Sequence, residues 1–225
     1  MAIIIGAVRR NPATVVVLAG QASEGLLAAV GKSMNVSLVR PEEPGAGSGD
    51  GLEAAAGALR RAAGISSPYV LVAADPLGAV AAEWRAMWEI AREPRGSEAF
   101  ELRSAEALAA WRAGRFELPD YYLVLAPAGL RQQEKEHAGT AVTEEQHPDF
   151  YLGPLRSVRP HRVAVVAAAE PAEQAAGLLS ALGALRHGRW WPPLEEVIDA
   201  ARRFYPGALA ESESALAAGS SAPRG

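Results

Sequence analysis

The chain is dominated by short apolar runs, rich in β-branched and aromatic residues, that alternate with segments of helical periodicity. These runs predict strands at 14–19, 35–40, 69–74, 121–126 and 162–168. Such alternation is typical of a mostly parallel sheet covered by helices on both faces. A further run at 3–8, joined to the run at 14–19 by a turn-rich link, predicts an antiparallel hairpin at one edge. The predicted fold class is therefore a three-layer α/β domain with a five- or six-stranded sheet.

Helix signals fill the intervals between these runs. Helices are predicted from Ser23 to about Val30, behind Asp50, at about 78–92, from Ser104 to Gly114, from Pro171 to Gly188 and from Leu194 to Phe204. In the third of them, Val80, Trp84 and Trp88 fall on one apolar stripe. Tryptophans at this spacing more often belong to a core than to a ligand-stacking site, because their burial is strongly stabilising. We therefore expect this stripe to belong to the core.

Length and composition limit the class of protein. The 225 residues fit one α/β domain at 1–205, followed by an alanine- and serine-rich tail at 206–225 that we expect to be disordered. The chain has no cysteine, which excludes disulfides, thiolate metal sites and cysteine nucleophiles. No apolar run reaches the ~18–20 residues of a membrane helix, and the first residues do not form a secretory signal. We therefore predict a cytoplasmic protein with no membrane partner.

A long polar insertion, at about 130–160, separates the last two predicted strands. It carries His137, His147 and Lys135, which is one of only two lysines in the chain. A long connection of this kind inside a compact domain is usually functional or disordered. The part at 131–145 has too little apolar area to offset its ordering cost, so we expect it to be exposed and mobile unless a ligand, metal or partner fixes it. The part that follows carries Phe150 and Tyr151, which are expected to anchor on the core.

The ends of the predicted strands provide the first candidate site. Ligands of open α/β sheets bind beyond the carboxyl ends of the strands. Residues after the runs at 14–19 and 69–74, together with two cations of the insertion, are therefore the candidate ligand-binding residues: Gly20, Ser23, Glu24, Asp75, Lys135 and Arg156. We expect Asp75 to lie near Gly20 and Ser23, because parallel strands end at the same edge.

Familiar catalytic and nucleotide-binding motifs are missing. The stretch after Gly20 does not have the Gly-x-Gly-x-x-Gly spacing of dinucleotide-binding proteins. The tripeptide Gly31-Lys32-Ser33 is not a P-loop, because Leu26 stands where a glycine is required and the tripeptide follows a helix. No Gly-x-Ser-x-Gly elbow of a serine hydrolase is present.

A metal site is the alternative that the insertion suggests. His137, His147 and Asp149 offer donors suited to zinc, manganese or magnesium, although their spacing matches no tight motif. Asp120 at the start of a predicted strand, with Lys135 downstream, faintly suggests the core of a metal-dependent nuclease. Under this reading the protein would be a metal-dependent hydrolase acting on a phosphodiester.

Arginines near aromatic residues form a third, weaker pattern. Arg156, Arg159 and Arg162 stand close in sequence to Phe150 and Tyr151, and Trp190-Trp191 follow the next helix. Arginine interleaved with aromatic rings can bind phosphates and stack bases. The period of three assigns these arginines to no single strand or helix face, however, and the net charge of −4 does not indicate a nucleic-acid partner.

Two functional hypotheses from different classes follow. The first, which we prefer, is a Rossmann-like α/β binding module for a small anionic or nucleotide-like ligand or a protein partner, in an accessory or regulatory role. The second is the phosphodiester hydrolase, with His137, His147 and Asp149 at the metal. No cofactor is indicated by the sequence, and catalysis is left open between the two.

Overall fold

A computed structural model describes residues 13–20, 22–41, 51–89, 95–125, 149–167, 169–188 and 190–204. Its centre is one five-stranded parallel sheet with the order β2-β3-β1-β4-β5. The strands are β1 (Thr14–Ala19), β2 (Val36–Val39), β3 (Tyr69–Val72), β4 (Tyr121–Leu125) and β5 (Val163–Val166). All five predicted strands therefore lie in a single sheet, and the predicted three-layer α/β class is confirmed.

The central strand β1 lies between β3 and β4. Val16 pairs with Leu71 on one side and with Tyr121 on the other. All five residues of β4 are buried, which explains why this run shows no apolar–polar alternation. The strand order differs from the 3-2-1-4-5-6 order of dinucleotide-binding domains. The Rossmann-like classification is therefore not confirmed.

Helices cover both faces of the sheet. On one face lie α1 (Glu24–Val30) and α6 (Pro171–Leu182), which contact each other and bury Leu26, Leu178 and Leu182. The other face carries the larger core, with Trp84 and Tyr122 fully buried. Its described helices are α2 (Gly51–Ala62), α3 (Gly78–Glu89), α4 (Arg95–Arg112) and α7 (Leu194–Arg203). Trp84 therefore lies in the core, as predicted, and its indole N–H donates to the Ala201 carbonyl of α7 at 2.8 Å.

A short helical segment forms the last part of the insertion. It is a π-helix over Tyr151–Leu155, continued by α5 (Arg156–Val158) and a 3₁₀ turn at Pro160–Arg162. Single π-helical turns occur frequently at functional sites. The side chains of Tyr151 and Leu155 are buried in the larger core, as is that of Phe150 directly before them. These residues anchor the end of the insertion, as the sequence predicts.

Two predicted helix boundaries are wrong. Ser104 does not begin a helix, because α4 starts at Arg95 and extends the apolar face with the buried Phe100. The helix after Pro171 ends at Gly183 rather than at Gly188. The chain leaves the helix at Gly183, a residue type that commonly ends helices, and farther along the chain the Gly188 N–H donates to Asp120 at 2.9 Å.

Several expectations fall outside the described residues. They are the hairpin strand at 3–8, the segment at 131–145 and the tail at 206–225. Among the residues that are described, no helix is long and apolar enough to cross a membrane.

Candidate functional site at the carboxyl edge of the sheet

The chain leaves the sheet in opposite directions around the end of β1. After β1 it passes to α1, which packs on the smaller core. After β3 it passes to α3, and the segment described after β4 is the π-helix, both on the opposite face. This divergence is a topological switch point, where open α/β sheets form a crevice beyond the strand ends.

A cleft of about 150 Å³ lies at this position. Its lining residues come from the ends of β1 and β3 and from the start of α1: Leu18, Gly20, Ala22, Leu27, Ala73, Ala74 and Asp75. Gly20 has φ +104°, and a Cβ there would lie 2.9 Å from the Leu125 carbonyl oxygen. Only glycine fits this conformation and this close approach to β4. The turn thus brings the end of β1 directly against the end of β4.

Among the described residues, Asp75 is the only carboxylate that lines the cleft. Its Oδ1 accepts a hydrogen bond from the Leu77 backbone N–H at 2.9 Å, which forms a turn before α3. Its Oδ2 accepts a hydrogen bond from the Tyr151 hydroxyl. Burial raises the pKa of Asp75 from 3.8 to about 6, and the hydrogen bonds only partly oppose this rise. A carboxyl group with this pKa can exchange a proton near neutral pH.

A second tyrosine lies beside the same carboxyl. The Tyr122 side chain is fully buried, and its ring lies 5.8 Å from that of Tyr151. Its hydroxyl is near enough to Asp75 to help lower the pKa of that carboxyl. It nevertheless makes no hydrogen bond of normal geometry within the described residues. Burial and the negative charge of Asp75 raise the pKa of Tyr122, so the hydroxyl keeps its proton and can donate it in a hydrogen bond.

The structure brings together only some of the residues predicted for the site. Gly20 and Asp75 line the same cleft. Ser23 is not among the lining residues; it is exposed and caps α1, because its hydroxyl accepts from the Leu26 N–H at 3.1 Å. Glu24 is exposed and forms an ion pair with Arg40 at 2.8 Å.

The two predicted cations of the site are not part of the cleft described here. Arg156 is exposed on α5 and does not line the cleft. Lys135 lies outside the described residues. No cationic side chain of the described residues is among those that line the cleft.

The predicted metal site is placed only in part. His137 and His147 lie outside the described residues, and Asp149 pairs with Arg85 at 2.8 Å. Within the described ranges, no group of three histidine, aspartate or glutamate residues could hold a metal ion. The metal-dependent hydrolase therefore stays a prediction about the insertion.

Asp120, the acid of the nuclease suggestion, lies at the opposite edge of the sheet. Its Oδ2 accepts from the Val15 N–H at 2.8 Å and its Oδ1 from the Gly188 N–H at 2.9 Å. His187 lies 3.4 Å from the same carboxylate. These bonds join β1 and the segment after α6 to the start of β4, which gives Asp120 a structural role.

The loop after β1 also contains the glycine spacing of a P-loop. Gly20 and Gly25 are separated by four residues, but buried Leu26 and Leu27 follow where a P-loop has lysine and serine or threonine. In addition, α1 already begins at Glu24, before the second glycine. The loop thus lacks the cation and the hydroxyl with which a P-loop holds a triphosphate and its magnesium ion.

Sequence reasoning missed the two tyrosines of the site. Tyr122 was assigned to a strand and Tyr151 to an apolar anchor, with no role for either hydroxyl. The available signal was chemical, since a buried tyrosine hydroxyl usually finds a hydrogen-bond partner. Asp75 could be identified as that partner only once the strand order is known. In the sheet, β3 and β4 are separated only by β1.

Comparisons with protein-family models, curated proteins and solved structures found no match to this chain.

Proposed function

We propose that the protein is a binding module that holds a nucleotide-like small molecule at the carboxyl edge of its sheet, in an accessory or regulatory role. The observation that carries the proposal is the position of Asp75. Its carboxyl lines the cleft at the switch point, and the otherwise unpartnered Tyr122 hydroxyl lies buried beside it. Polar groups in such a place, with a perturbed pKa, are typical of binding sites.

The chemistry of Asp75 selects which part of the ligand enters the cleft. Above about pH 6 its carboxyl is mainly ionised, so it accepts hydrogen bonds and repels negative charge. A ligand hydroxyl or amino group therefore suits it better than a phosphate. Arg40, a cation at the neighbouring strand end, already pairs with Glu24. The charge of Asp75 and the pairing of Arg40 therefore favour, among the predicted anionic or nucleotide-like ligands, one that places a nucleoside-like group in the cleft.

The cleft is large enough to hold only part of such a ligand. Its volume of about 150 Å³ equals the space of roughly five water molecules in the liquid. Complete sites for drug-sized molecules are larger, at ~300–1,000 Å³. One sugar or small ring would occupy the cleft, while the rest of the ligand would lie outside it.

Calorimetric titration with adenosine, and separately with inorganic phosphate, tests the proposal. We expect adenosine to bind, with an affinity that rises between about pH 5 and about pH 7.5 as Asp75 loses its proton. An anion held beside Asp75 would show the opposite dependence, because its affinity would fall as the carboxylate forms. Binding of phosphate alone would contradict the nucleoside reading and support the anionic one.

A matched pair of variants localises the site. Ala22→Leu places a larger side chain in the cleft, whereas Ala28→Leu makes the same change on the exposed side of α1. We expect the first to abolish adenosine binding and the second to leave it unchanged. Asp75→Asn keeps an acceptor for the Leu77 N–H but removes the charge, and should weaken binding about tenfold or more. If Ala22→Leu and Ala28→Leu bind adenosine with the same affinity, the ligand is not in this cleft.

A further inference from the structure

The opposite, amino edge of the sheet carries a cluster of arginines around an exposed tryptophan. Arg162 directly precedes β5, and Tyr121 is the first residue of the neighbouring β4. Arg159, Arg162, Arg186 and Trp190 together form what we call the arginine–tryptophan surface. The sequence pattern of arginines near aromatic residues could be assigned to no single strand or helix face. In the structure, it is gathered at the adjacent starts of β4 and β5.

Ring contacts and hydrogen bonds hold this surface together. The guanidinium carbon of Arg162 lies 4.4 Å from the ring centroid of Tyr121 and 4.2 Å from that of Trp190. Arg159 Nε donates to the Trp190 carbonyl at 2.6 Å. The Arg186 N–H donates to the Tyr121 hydroxyl at 3.1 Å. The segments around Arg162 and Arg186, which are far apart in sequence, are thus fixed beside each other.

The positive charge of the surface is not neutralised within the described residues. None of Arg159, Arg162 and Arg186 has a carboxylate partner there, and each donates to backbone carbonyls instead. The sequence has no aspartate or glutamate between Asp149 and Glu170 or between Glu173 and Glu195. Arginine keeps its charge at all physiological pH values and has five N–H donors, so donors are left for an anionic partner.

Trp190 gives the surface a second property. Trp190 is 44% exposed although Arg162 and the backbone of Gly188 both contact its ring, so part of a large aromatic ring is presented to solvent among positive charges. Proteins that bind single-stranded nucleic acid combine these two features, with cations along the backbone and aromatic rings on which bases stack. An acidic peptide would use the charges but would gain little from the exposed ring.

We propose that the arginine–tryptophan surface binds single-stranded nucleic acid, with phosphates at the three arginines and a base stacked on Trp190. The net charge of −4 for the whole chain is compatible with this, because the surface would contact only a few phosphates. This proposal is independent of the ligand at the carboxyl edge, since no residue of the surface lines that cleft.

Fluorescence anisotropy with a labelled oligouridylate tests the proposal on the full chain. Three phosphate contacts predict a slope of roughly −2 in the logarithm of affinity against that of salt concentration, or about a 20-fold loss for a fourfold increase in salt. Trp190→Ala should weaken binding about tenfold or more, and Trp190→Phe should retain most of it. Arg162→Lys keeps the charge but loses the planar stacking group, so we expect an intermediate loss.

Arg60→Ala is the matched control. Arg60 is also exposed and also donates to a backbone carbonyl, that of Arg115, but it belongs to α2 at the β2 end of the sheet. We expect this variant to bind like the wild type, whereas Arg159→Ala should weaken binding clearly. Circular dichroism of each variant establishes that it is folded, and the exposed Arg159 provides a second test if Trp190→Ala does not fold.

Three results would overturn the proposal. They are absence of oligouridylate binding at low salt, equal losses for Arg60→Ala and Arg159→Ala, and binding that does not change in folded Trp190→Ala. Equal competition by polyglutamate, which has charge but no bases, would instead identify an acidic polypeptide as the partner.

Discussion

Two largely enclosed aspartates lie at opposite edges of the same sheet and differ in what surrounds them. Asp120, at the amino edge, is 9% exposed and receives backbone N–H groups from Val15 and Gly188. Within the described residues, Asp75 at the carboxyl edge receives one backbone N–H and depends on a tyrosine hydroxyl for its other bond. Backbone donors cannot leave without unfolding of the segments that carry them, whereas a hydroxyl can rotate. Asp120 is therefore built into the fold, and Asp75 has partners that a ligand can rearrange.

The largest expected effect on stability comes from removal of the Asp120 carboxylate at the amino edge. Asp120→Ala leaves the partly buried Val15 and Gly188 N–H groups without this acceptor, at about 1–3 kcal/mol for each donor. We expect a loss of about 4 kcal/mol in the free energy of unfolding, measured by urea denaturation. Asp120→Asn retains one acceptor oxygen and should lose roughly half as much. A loss no greater than that of Asp75→Ala would contradict the difference between the two residues.

The pH dependence of stability provides the next test. Because the pKa of Asp75 is about 6 in the folded protein and near its ordinary value of 3.8 when unfolded, the folded state binds the proton more tightly. Its contribution is therefore most favourable below pH 3.8 and is lost as pH rises through about 6. At 1.36 kcal/mol per pH unit, the ionised carboxyl costs up to about 3 kcal/mol at neutral pH.

Asp75→Asn isolates this effect from other titrating groups. The neutral amide carries no desolvated charge and still accepts from the Leu77 N–H. We expect the variant to be more stable than the wild type at about pH 7.5 and equally stable near pH 4, as measured by urea denaturation at both values. A difference in stability that is constant with pH would show that Asp75 does not titrate near 6.

The contrast between the two edges also explains how much the sequence could predict. The five strands follow from their β-branched composition, and Gly20 and Asp75 follow from the rule that ligands bind beyond strand ends. The hydrogen bond between Gly188 and Asp120 could not be predicted, because the two residues are 68 apart in the chain. The same holds for Tyr151 and Asp75, which are 76 residues apart in the chain.

Strand order is the common cause of these failures. Local patterns identify elements, but nothing local states that β1 lies between β3 and β4. Arg162, Tyr121 and Trp190 illustrate the consequence, since their ring contacts form only when β4 and β5 are neighbours. The local sequence patterns of these three residues are ordinary. Their candidate role therefore arises only from contacts between segments that are distant in sequence.

A smaller loss of stability is expected on removal of the Tyr151 hydroxyl, which donates to Asp75. Tyr151→Phe removes its hydrogen bond to the carboxyl, and hydrogen bonds to charged groups are worth about 1.5–3 kcal/mol. We expect the free energy of unfolding to fall by about 2 kcal/mol at neutral pH, and by less near pH 4, where the carboxyl is largely protonated. The pKa of Asp75 should also rise, because this hydroxyl lowers it. Titration of the Asp75 carboxyl by NMR measures that change.

Tyr122→Phe has the smallest expected effect on stability and the opposite sign. The Tyr122 hydroxyl is buried with no hydrogen bond of normal geometry in the described structure, so its removal abolishes a desolvation cost rather than a bond. We expect the variant to gain about 1 kcal/mol in the free energy of unfolding, while Tyr151→Phe loses stability in the same assay. Adenosine binding should weaken even though the fold is more stable, because a donor beside Asp75 is lost. A Tyr122→Phe variant that is both more stable and unchanged in adenosine binding would contradict a binding role for this hydroxyl at the carboxyl edge.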